Sequence, residues 1–405
     1  MQQRRREQET EEKGMENEIR NRNEGRNRSD NSNRSDSSNR SDDSGMAMYW
    51  YWICNLPKIT NSKIKRLLDC FGSPDEVFRE DLKDLGKMGI LKEEDIRRIE
   101  DSRRGWDLAQ EYGEFCKLGM EFVHIGDDRY PERLRSLADR PYCLYVKGRL
   151  PEDIKPAVSI VGARACSEYG RRMAEEYGRE LAASGVQIIS GLARGIDGAS
   201  HKGALLAGGS TFAVLGCGTD ICYPEEHKRL YEDIPERGGI ISEYPPGTMP
   251  LPYLFPARNR IISGLADIVL VIEAREKSGS LITADQALEQ GHDVFALPGR
   301  VTDKLSCGCN RLIKQGAGIA TSPADILAEF SLECKKNNEN YIKTTNSLAK
   351  EENLVYSCLG LQPKNLDEIL TEVKADIQQV LHVLLNLELK GYIEEISKNY
   401  YIIKR

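Results

Sequence analysis

Short apolar runs alternate with amphipathic segments through the middle of the chain. The apolar runs predict strands, at 158–162, 186–189, 211–215, 239–242, 267–272 and 293–297. The amphipathic segments predict helices, at 168–183, 196–207, 225–233 and 283–290. Strands and helices that alternate with such short connections predict a doubly wound parallel sheet, an extended Rossmann-like α/β fold that binds ligands at the carboxyl ends of its strands.

Both ends of the chain carry patterns of a different kind. Residues 62–71 and 81–99 repeat short helices around turns, and residue 122 begins a further strand, 122–125. Helices at 365–373 and 376–390, followed by paired apolar runs, predict a winged helix. We therefore divide the chain into a disordered polar tail (1–48), a helical SAM/helix-hairpin-helix-like domain (49–110), a Rossmann-like domain (111–330), a linker (331–350) and a winged-helix domain (351–405).

Composition restricts the possible functions. The chain has 405 residues and a net charge of −7, so any nucleic-acid site must gather its cations in one pocket. Eleven scattered cysteines indicate reduced thiols in a reducing compartment, and none has the spacing of a zinc site. No apolar run approaches the ~20 residues that span a bilayer. We expect a cytoplasmic protein that does not enter the membrane and holds no metal.

The first turn between a strand and a helix argues against a nucleotide cofactor. It contains Gly162 alone where a dinucleotide fingerprint has three glycines, and the chain has no P-loop. The turn does offer close backbone approach at Gly162, a helix N-terminus capped by Ser167, and the guanidinium fork of Arg164. We therefore expect an anion to bind here and predict no cofactor.

A second anion site is predicted where the strand at 267–272 gives way to a helix. Ser278, Gly279 and Ser280 stand at that helix N-terminus, whose backbone amides and dipole favour a phosphate. Upstream, a Pro-interrupted loop is expected to end in Arg258, Asn259 and Arg260 before a short helix at 261–265. Each of these three residues could bind phosphate or a base, or could satisfy backbone carbonyls around a turn.

Seven motifs occur in order along the chain: SIVGARACSEYG, SGLARGIDGASHKGAL, AVLGCGTDICYP, SEYPPGTMPLPYLFPARNRIISGLA, KSGSLITADQAL, ALPGR and GCNRLIKQGA. Together they resemble the DNA-processing protein A family over residues 49–327. The resemblance implies a homodimer that binds single-stranded DNA without cutting it and helps to load the RecA recombinase during natural transformation and recombination. It also implies a winged helix at the end of the chain.

The resemblance implies a DNA-binding pocket, carried over motif by motif to Gly162, Arg164, Arg258, Asn259, Arg260, Lys277, Ser278, Gly279, Ser280 and Asn310, with Lys202 and Lys228 as weaker candidates. It places a dimer contact on the helix that contains Leu312 and Ile313. The second helix of the winged helix carries a single lysine. That composition favours protein contact or packing over reading of duplex DNA.

One alternative belongs to another class of protein. KSGSLITADQALE is similar to the signature of nucleotide phosphoribohydrolases of the lysine-decarboxylase-like group, in which a glutamate is the catalytic group. Thr283 stands at the matching position and cannot act as a general base at neutral pH. His201 is expected to have a structural role. We predict no catalytic residue, and keep a nucleotide-binding hydrolase or a sensor of a phosphorylated ligand as the alternative.

Overall fold

A computed structural model of the chain describes residues 39–82, 86, 90–332, 350–359, 363–373 and 375–403. These residues form two compact units. The first unit comprises Phe212–Ala266 and the described residues up to Lys155, and the second comprises Pro156–Thr211 and the described residues from Asp267 onward.

The described helices are, in chain order, α1 (Asn39–Cys54), α2 (Asn61–Phe71), α3 (Pro74–Arg79), α4 (Glu93–Gly105), α5 (Leu108–Cys116), α6 (Glu132–Arg135), α7 (Glu168–Ala183), α8 (Ile196–Leu206), α9 (Lys228–Arg237), α10 (Leu254–Gly264), α11 (Gly279–Glu289), α12 (Cys307–Lys314), α13 (Pro323–Glu329), α14 (Lys350–Cys358), α15 (Leu366–Val373) and α16 (Ile377–Leu389). A 3-10 turn, Glu225–His227, precedes α9.

The described strands are β1 (Glu121–His124), β2 (Cys143–Gly148), β3 (Ala157–Val161), β4 (Gln187–Ser190), β5 (Thr211–Val214), β6 (Gly239–Ser242), β7 (Ile268–Val271), β8 (Asp293–Ala296), β9 (Gly318–Ile319), β10 (Lys364–Asn365), β11 (Ile393–Ser397) and β12 (Tyr400–Ile403). The first unit orders its strands β1-β2-β6-β5, with only the β6–β5 pair parallel. The second orders its strands β4-β3-β7-β8-β9, all parallel. The predicted α/β fold with a mostly parallel sheet is confirmed.

An aromatic cluster is the core of the first unit. The ring of Tyr51 in α1 lies 5.2 Å from that of Phe115 and 5.3 Å from that of Phe122. Ala47, earlier in the same helix, is also buried. The predicted polar tail is therefore too long, because residues 39–48 continue the helix that carries these aromatic side chains. Residues 1–38 lie outside the described part of the chain.

Strand β2 was not among the predicted strands. Its residues Leu144, Tyr145 and Val146 are buried, and the strand pairs with β1 on one side and β6 on the other. A strand buried on both faces has a continuous apolar run and no alternation of apolar and polar residues. The run at residues 143–146 has this character, but it was not selected as a strand.

Two glycines bring α7 and α8 into backbone contact in the second unit. A Cβ at Gly178 would lie 2.4 Å from the carbonyl oxygen of Ser200, and a Cβ at Gly203 would lie 2.1 Å from that of Glu175. Around this crossing, Tyr177, Leu181 and other apolar side chains of the core are buried. Close approach at this crossing therefore requires both residues to lack a side chain.

The C-terminal module is a winged helix, as predicted. Helices α14, α15 and α16 pack around buried Ile369, Val380 and Leu384, and the wing strands are ordered β10-β12-β11. The carboxylate of Asp376 accepts the N–H of Gln378 at 2.9 Å, which satisfies a backbone donor at the start of α16. The predicted helices and wing strands agree with these elements to within a residue or two.

Replacement of Gly203 by alanine should destabilise the second unit. The added methyl group must push α7 and α8 apart, at a cost of about 1–3 kcal/mol, and should lower the melting temperature in a thermal unfolding scan. Gly113→Ala is the matched control, because a Cβ at that helical position meets nothing within 4 Å. The control should be neutral or stabilising by about 0.5–1 kcal/mol. A Gly203→Ala protein as stable as the control would contradict this account of the crossing.

Candidate nucleic-acid interface

The turn after β3, the predicted first anion site, already holds a carboxylate of the protein. Glu273 is 3% exposed and accepts both the backbone N–H of Ser167, at 2.8 Å, and the hydroxyl of Ser167. A Cβ at Gly170 would lie 2.3 Å from the carboxyl carbon of Glu273. The anion expected at this turn is thus one of the protein's own carboxylates, because β7 lies beside β3 and brings Glu273 to the positive end of the α7 dipole.

The turn after β4 is filled in the same way. The buried carboxylate of Asp197 accepts the backbone N–H of Gly191 at 3.1 Å and that of Ala193 at 3.4 Å. His201, which is fully buried in α8, has its Nδ1 atom 2.7 Å from the hydroxyl of Thr211. This contact agrees with a structural role for His201.

Gly162 allows the first turn to pack closely. A Cβ there would lie 2.6 Å from the side chain of Ile196 and 3.0 Å from the carbonyl oxygen of Glu273. Any larger residue would have to displace one of these neighbours. The predicted contact of Gly162 with DNA remains a prediction, and the geometry gives this residue a packing role.

Exposed cations follow four adjacent strand ends of the second unit. Arg164 lies three residues after Val161, the last residue of β3, and an arginine lies four residues after the end of β4, β7 and β8, namely Arg194, Arg275 and Arg300. All four are exposed, as is Lys277. Adjacent strands are about 4.8 Å apart, and the spatial order is β4-β3-β7-β8. We call these five residues the cation row.

Sequence analysis identified only Arg164 and Lys277 in the cation row. Arg194 and Arg300 lie within recognised motifs, SGLARGID and ALPGR, yet they were not selected. Their shared spacing after an apolar strand was the available signal. The exposed acid Glu276 lies between Arg275 and Lys277, so the net positive charge of the cation row is smaller than its five cations would give.

The turn after β7, the predicted second anion site, leads directly into α11. Ser278 occupies the N-cap position of α11 in an extended conformation without a side-chain capping bond, and the first turn of α11 contains no acidic residue. The hydroxyl oxygens of Ser278 and Ser280 lie 2.8 Å apart. The N-terminus of α7 differs, because its first turn contains Glu168 and its N-cap residue Ser167 binds Glu273.

Asn310 holds the loop after β8. Its side-chain amide donates to the carbonyl oxygen of Gly299 at 3.0 Å, and its Oδ1 atom accepts the N–H of Gly299 at 3.3 Å. Gly299 directly precedes Arg300. The geometry therefore gives Asn310 a positioning role for the cation row, while its direct contact with DNA stays a prediction.

Arg258, Asn259 and Arg260 lie within α10 in the first unit, and the expected loop at this place is wrong. The helix begins at Leu254, so Pro256 falls in its first turn. The first four N–H groups of a helix need no partner within the helix, and proline is therefore tolerated there. The sequence analysis took this proline as a sign of a loop.

Both arginines of α10 are buried, at 4% exposure for Arg258 and 8% for Arg260. The Nη2 atom of Arg260 donates to the two carboxylate oxygens of Glu243 at 2.7 and 2.9 Å. Burial is the largest single influence and acts to lower the pKa of Arg260, but Glu243, Asp139 and Tyr244 together raise that pKa above its ordinary value. Arg258 donates to the carbonyl oxygen of Val214. A DNA phosphate would have to displace these partners, which favours the structural interpretation of both arginines.

The weaker lysine candidates differ in their surroundings. Lys202 lies in α8 with its Nζ atom 2.9 Å from a carboxylate oxygen of Glu175, whereas Lys228 is the exposed first residue of α9. In the first unit, Tyr253 is 69% exposed and could stack on a base. Each of these assignments remains a prediction.

The predicted dimer contact needs a correction at Leu312. This residue of α12 is only 4% exposed and belongs to the core, while Ile313 beside it is half-buried. Adjacent residues of a helix point about 100° apart, so one can pack inward while the next approaches the surface. Only Ile313 remains available for a contact between copies.

The structure also bears on catalysis and on the membrane. Thr283, which the sequence motif matched to the glutamate of the hydrolases, is buried in α11. Among the described residues, no group of three or more side chains could hold a metal ion. None of the described helices has the length and apolar character needed to cross a membrane.

These features define a Rossmann-like protein without a dinucleotide turn, with cations at its strand ends and a winged helix at its end. A family model for DNA recombination-mediator protein A matches residues 121–331, and one for the DprA winged helix domain matches residues 343–397. The chain belongs to the DNA recombination-mediator protein A family.

Individual relatives agree with that assignment. DNA processing protein DprA of Streptococcus pneumoniae is 42% identical over 67% of this chain and 94% of its own length. Protein Smf of Escherichia coli is 40% identical over 68% of this chain and 75% of its own length. The crystal structure of the S. pneumoniae protein covers 70% of this chain and 97% of its own, with a TM-score of 0.63 and 40% identity.

Removal of the Glu243 carboxylate should destabilise the first unit strongly. Glu243→Gln leaves the buried charge of Arg260 without its main partner, which costs about 3–5 kcal/mol. Asp139→Asn is the control, because Asp139 also contacts Arg260, at 3.2 Å, but its side chain is 71% exposed. The control should cost less than about 1 kcal/mol. Denaturant unfolding measures both changes, and equal losses would refute the importance assigned to Glu243.

Proposed function

We propose that the protein binds single-stranded DNA along the cation row and delivers it to a RecA-type recombinase. The observation that carries this proposal is the run of exposed cations after four adjacent strands, beside helix N-termini that the protein's own carboxylates occupy. Phosphates would therefore bind the exposed cations at the carboxyl ends of the strands. The turns after β3 and β4 stay closed to a dinucleotide. The family assignment, a recombination mediator, fits a protein that holds DNA.

A single strand suits this edge better than a duplex does. The cations lie in one line, and a flexible strand can lay successive phosphates along it. The chain as a whole has a net charge of −7, so phosphates that extend beyond the row meet no general attraction. A rigid duplex would present few of its phosphates to the row.

The carboxylates near the strand ends support binding of DNA without cleavage, because they already have hydrogen-bond partners in the protein. Glu273 is buried against Ser167, and Asp197 is bound to backbone N–H groups, so neither can take a proton from water at a scissile phosphate. Thr283 offers no base either. We therefore propose a protein that binds DNA and is not an enzyme, and the cytoplasm as its compartment, because the ten described cysteines are free thiols.

The alternative of a nucleotide hydrolase or sensor is favoured by one observation. The Ser278 turn at the start of α11 could hold the phosphate of a mononucleotide as well as that of a DNA strand. Incubation of the purified protein with nucleoside monophosphates distinguishes the two functions. Release of free base would support the hydrolase, and saturable mononucleotide binding stronger than oligonucleotide binding would support the sensor.

Loss of an arginine from the cation row should weaken DNA binding in a salt-dependent way. Arg164→Ala removes one phosphate contact, which should lower the affinity for a single-stranded oligonucleotide about tenfold or more. It should also reduce the slope of log affinity against log salt by about 0.7. Arg194→Ala and Arg300→Ala should behave alike. Fluorescence anisotropy at several salt concentrations measures both quantities.

Arg179→Ala is the matched control, because this arginine lies near the C-terminal end of α7, away from the strand ends, and pairs with Glu180. It should leave affinity and slope unchanged. A second comparison replaces Arg260 and Glu243 together by methionine, which removes the buried pair without leaving a lone charge. This double variant should keep its affinity. Full affinity in Arg164→Ala, or a tenfold loss in the double variant, would contradict the proposed site.

Dimerisation is proposed to use the surface of α12 around Ile313. Ile313→Arg places a charge on a half-buried surface position and should convert dimers to monomers in sedimentation velocity. Gln315→Arg is the control, because Gln315 is an exposed residue just beyond the same helix. Leu312→Arg is unsuitable, because it buries a charge in the core and should unfold the protein. An Ile313→Arg protein that stays folded and dimeric would exclude this surface.

A further inference from the structure

Helix α16 of the winged helix has a second apolar face besides the one that faces the core. Val380, Val383, Leu384 and Leu387 are buried in the core of the module. Another set of large apolar side chains is exposed: Ile377 (47%), Leu381 (40%), Leu385 (54%) and Leu389 (77%). We call this second set the leucine ridge. Together these exposed side chains approach the size of functional surface patches, about 300–600 Å².

The spacing of the leucine ridge matches a known mode of helix packing. Its four members occur at every fourth residue, so they form one continuous ridge inclined to the helix axis. Two such ridges interdigitate when helices cross at about −50°, the commonest crossing in globular proteins. A ridge of this kind is complementary to an identical ridge, as a two-fold symmetric contact requires.

The charge of α16 excludes DNA and permits self-contact. Glu388 is the one charged residue among the thirteen of this helix, and its Oε1 atom accepts the N–H of Glu395 at 3.3 Å. The helix therefore offers no cation to a phosphate. Among its exposed residues, Gln378 and Gln379 are uncharged and His382 is the one titratable group, so little repulsion between like charges opposes the approach of two copies.

We propose that the leucine ridge binds the leucine ridge of a second copy of this chain. A stable interface buries about 800 Å² on each partner, so this contact alone is weak. It becomes effective when another contact already holds two copies together, because the local concentration of the second module is then high. The proposal rests on the proposed dimerisation through α12 and does not depend on the DNA site.

The test uses full-length protein with the photoreactive residue benzoylphenylalanine in place of Leu385. Isotopically heavy and light protein are mixed and irradiated, and the cross-linked peptides are identified by mass spectrometry. The expected product joins α16 of a heavy copy to α16 of a light copy. The same substitution at Gln379, which is exposed but lies off the ridge, should give little of this product.

The outcomes separate the possible occupants of the ridge. Cross-links within single copies would show that another segment of the same chain covers the ridge, and would overturn the proposal. Absence of cross-links between α16 helices would overturn it too. As a second measurement, Leu381→Gln with Leu385→Gln should lower the yield from a probe at Leu389 about tenfold, whereas Gln378→Ala with Gln379→Ala should not. Equal yields, or a loss of duplex DNA binding in the leucine variant alone, would contradict self-contact.

Discussion

The buried carboxylate of Glu273 at the N-terminus of α7 is the constraint on which the site depends. A Rossmann-like turn usually offers that N-terminus to a phosphate of its ligand. Here Ser167 both caps α7, through Gly170 N–H at 3.0 Å, and binds Glu273, so the turn is complete without a ligand. Asp197 closes the next turn. Backbone N–H groups in both turns thereby bind the protein's own carboxylates, and the arginines of the cation row are exposed beside them.

Arginine serves two distinct purposes in this chain. In the first unit, Arg260 is a structural cation, because Glu243 and the carbonyl oxygen of Asp139 take its donors inside a protein core. In the second unit, Arg164 and its counterparts after β4, β7 and β8 are exposed. The difference follows from desolvation. A buried guanidinium must keep a fixed partner, whereas an exposed one can exchange its partner for a phosphate at little cost. The proposed DNA site depends on this difference, because it leaves exposed cations after adjacent strands of an otherwise acidic protein.

The winged helix exposes apolar side chains where the Rossmann-like domain exposes cations. It has the helices and wing that other proteins use to read duplex DNA, but α16 exposes leucines where a reader would carry arginine and lysine. Its fold is maintained by the buried Val380 face, which leaves the opposite face under no structural constraint. The module is thus better suited to contact between proteins than to contact with DNA.

The local pattern of apolar and polar residues was sufficient to predict many of the strands and helices of this protein. The runs that became β3 and β7, and the helices and wing of the C-terminal module, were predicted because their periodicity is a property of neighbouring residues. The motifs also indicated the family. Periodicity did not predict that α10 begins before Pro256, that β2 is a central strand, or that Leu312 faces the core. Above all, the partner of Ser167 is 106 residues away and that of Arg260 is 17 away across a strand end. The sequence determined which residues could bind an anion, and the tertiary structure decided which of them were already occupied, because only folding brings a distant carboxylate to a buried cation or a helix N-terminus.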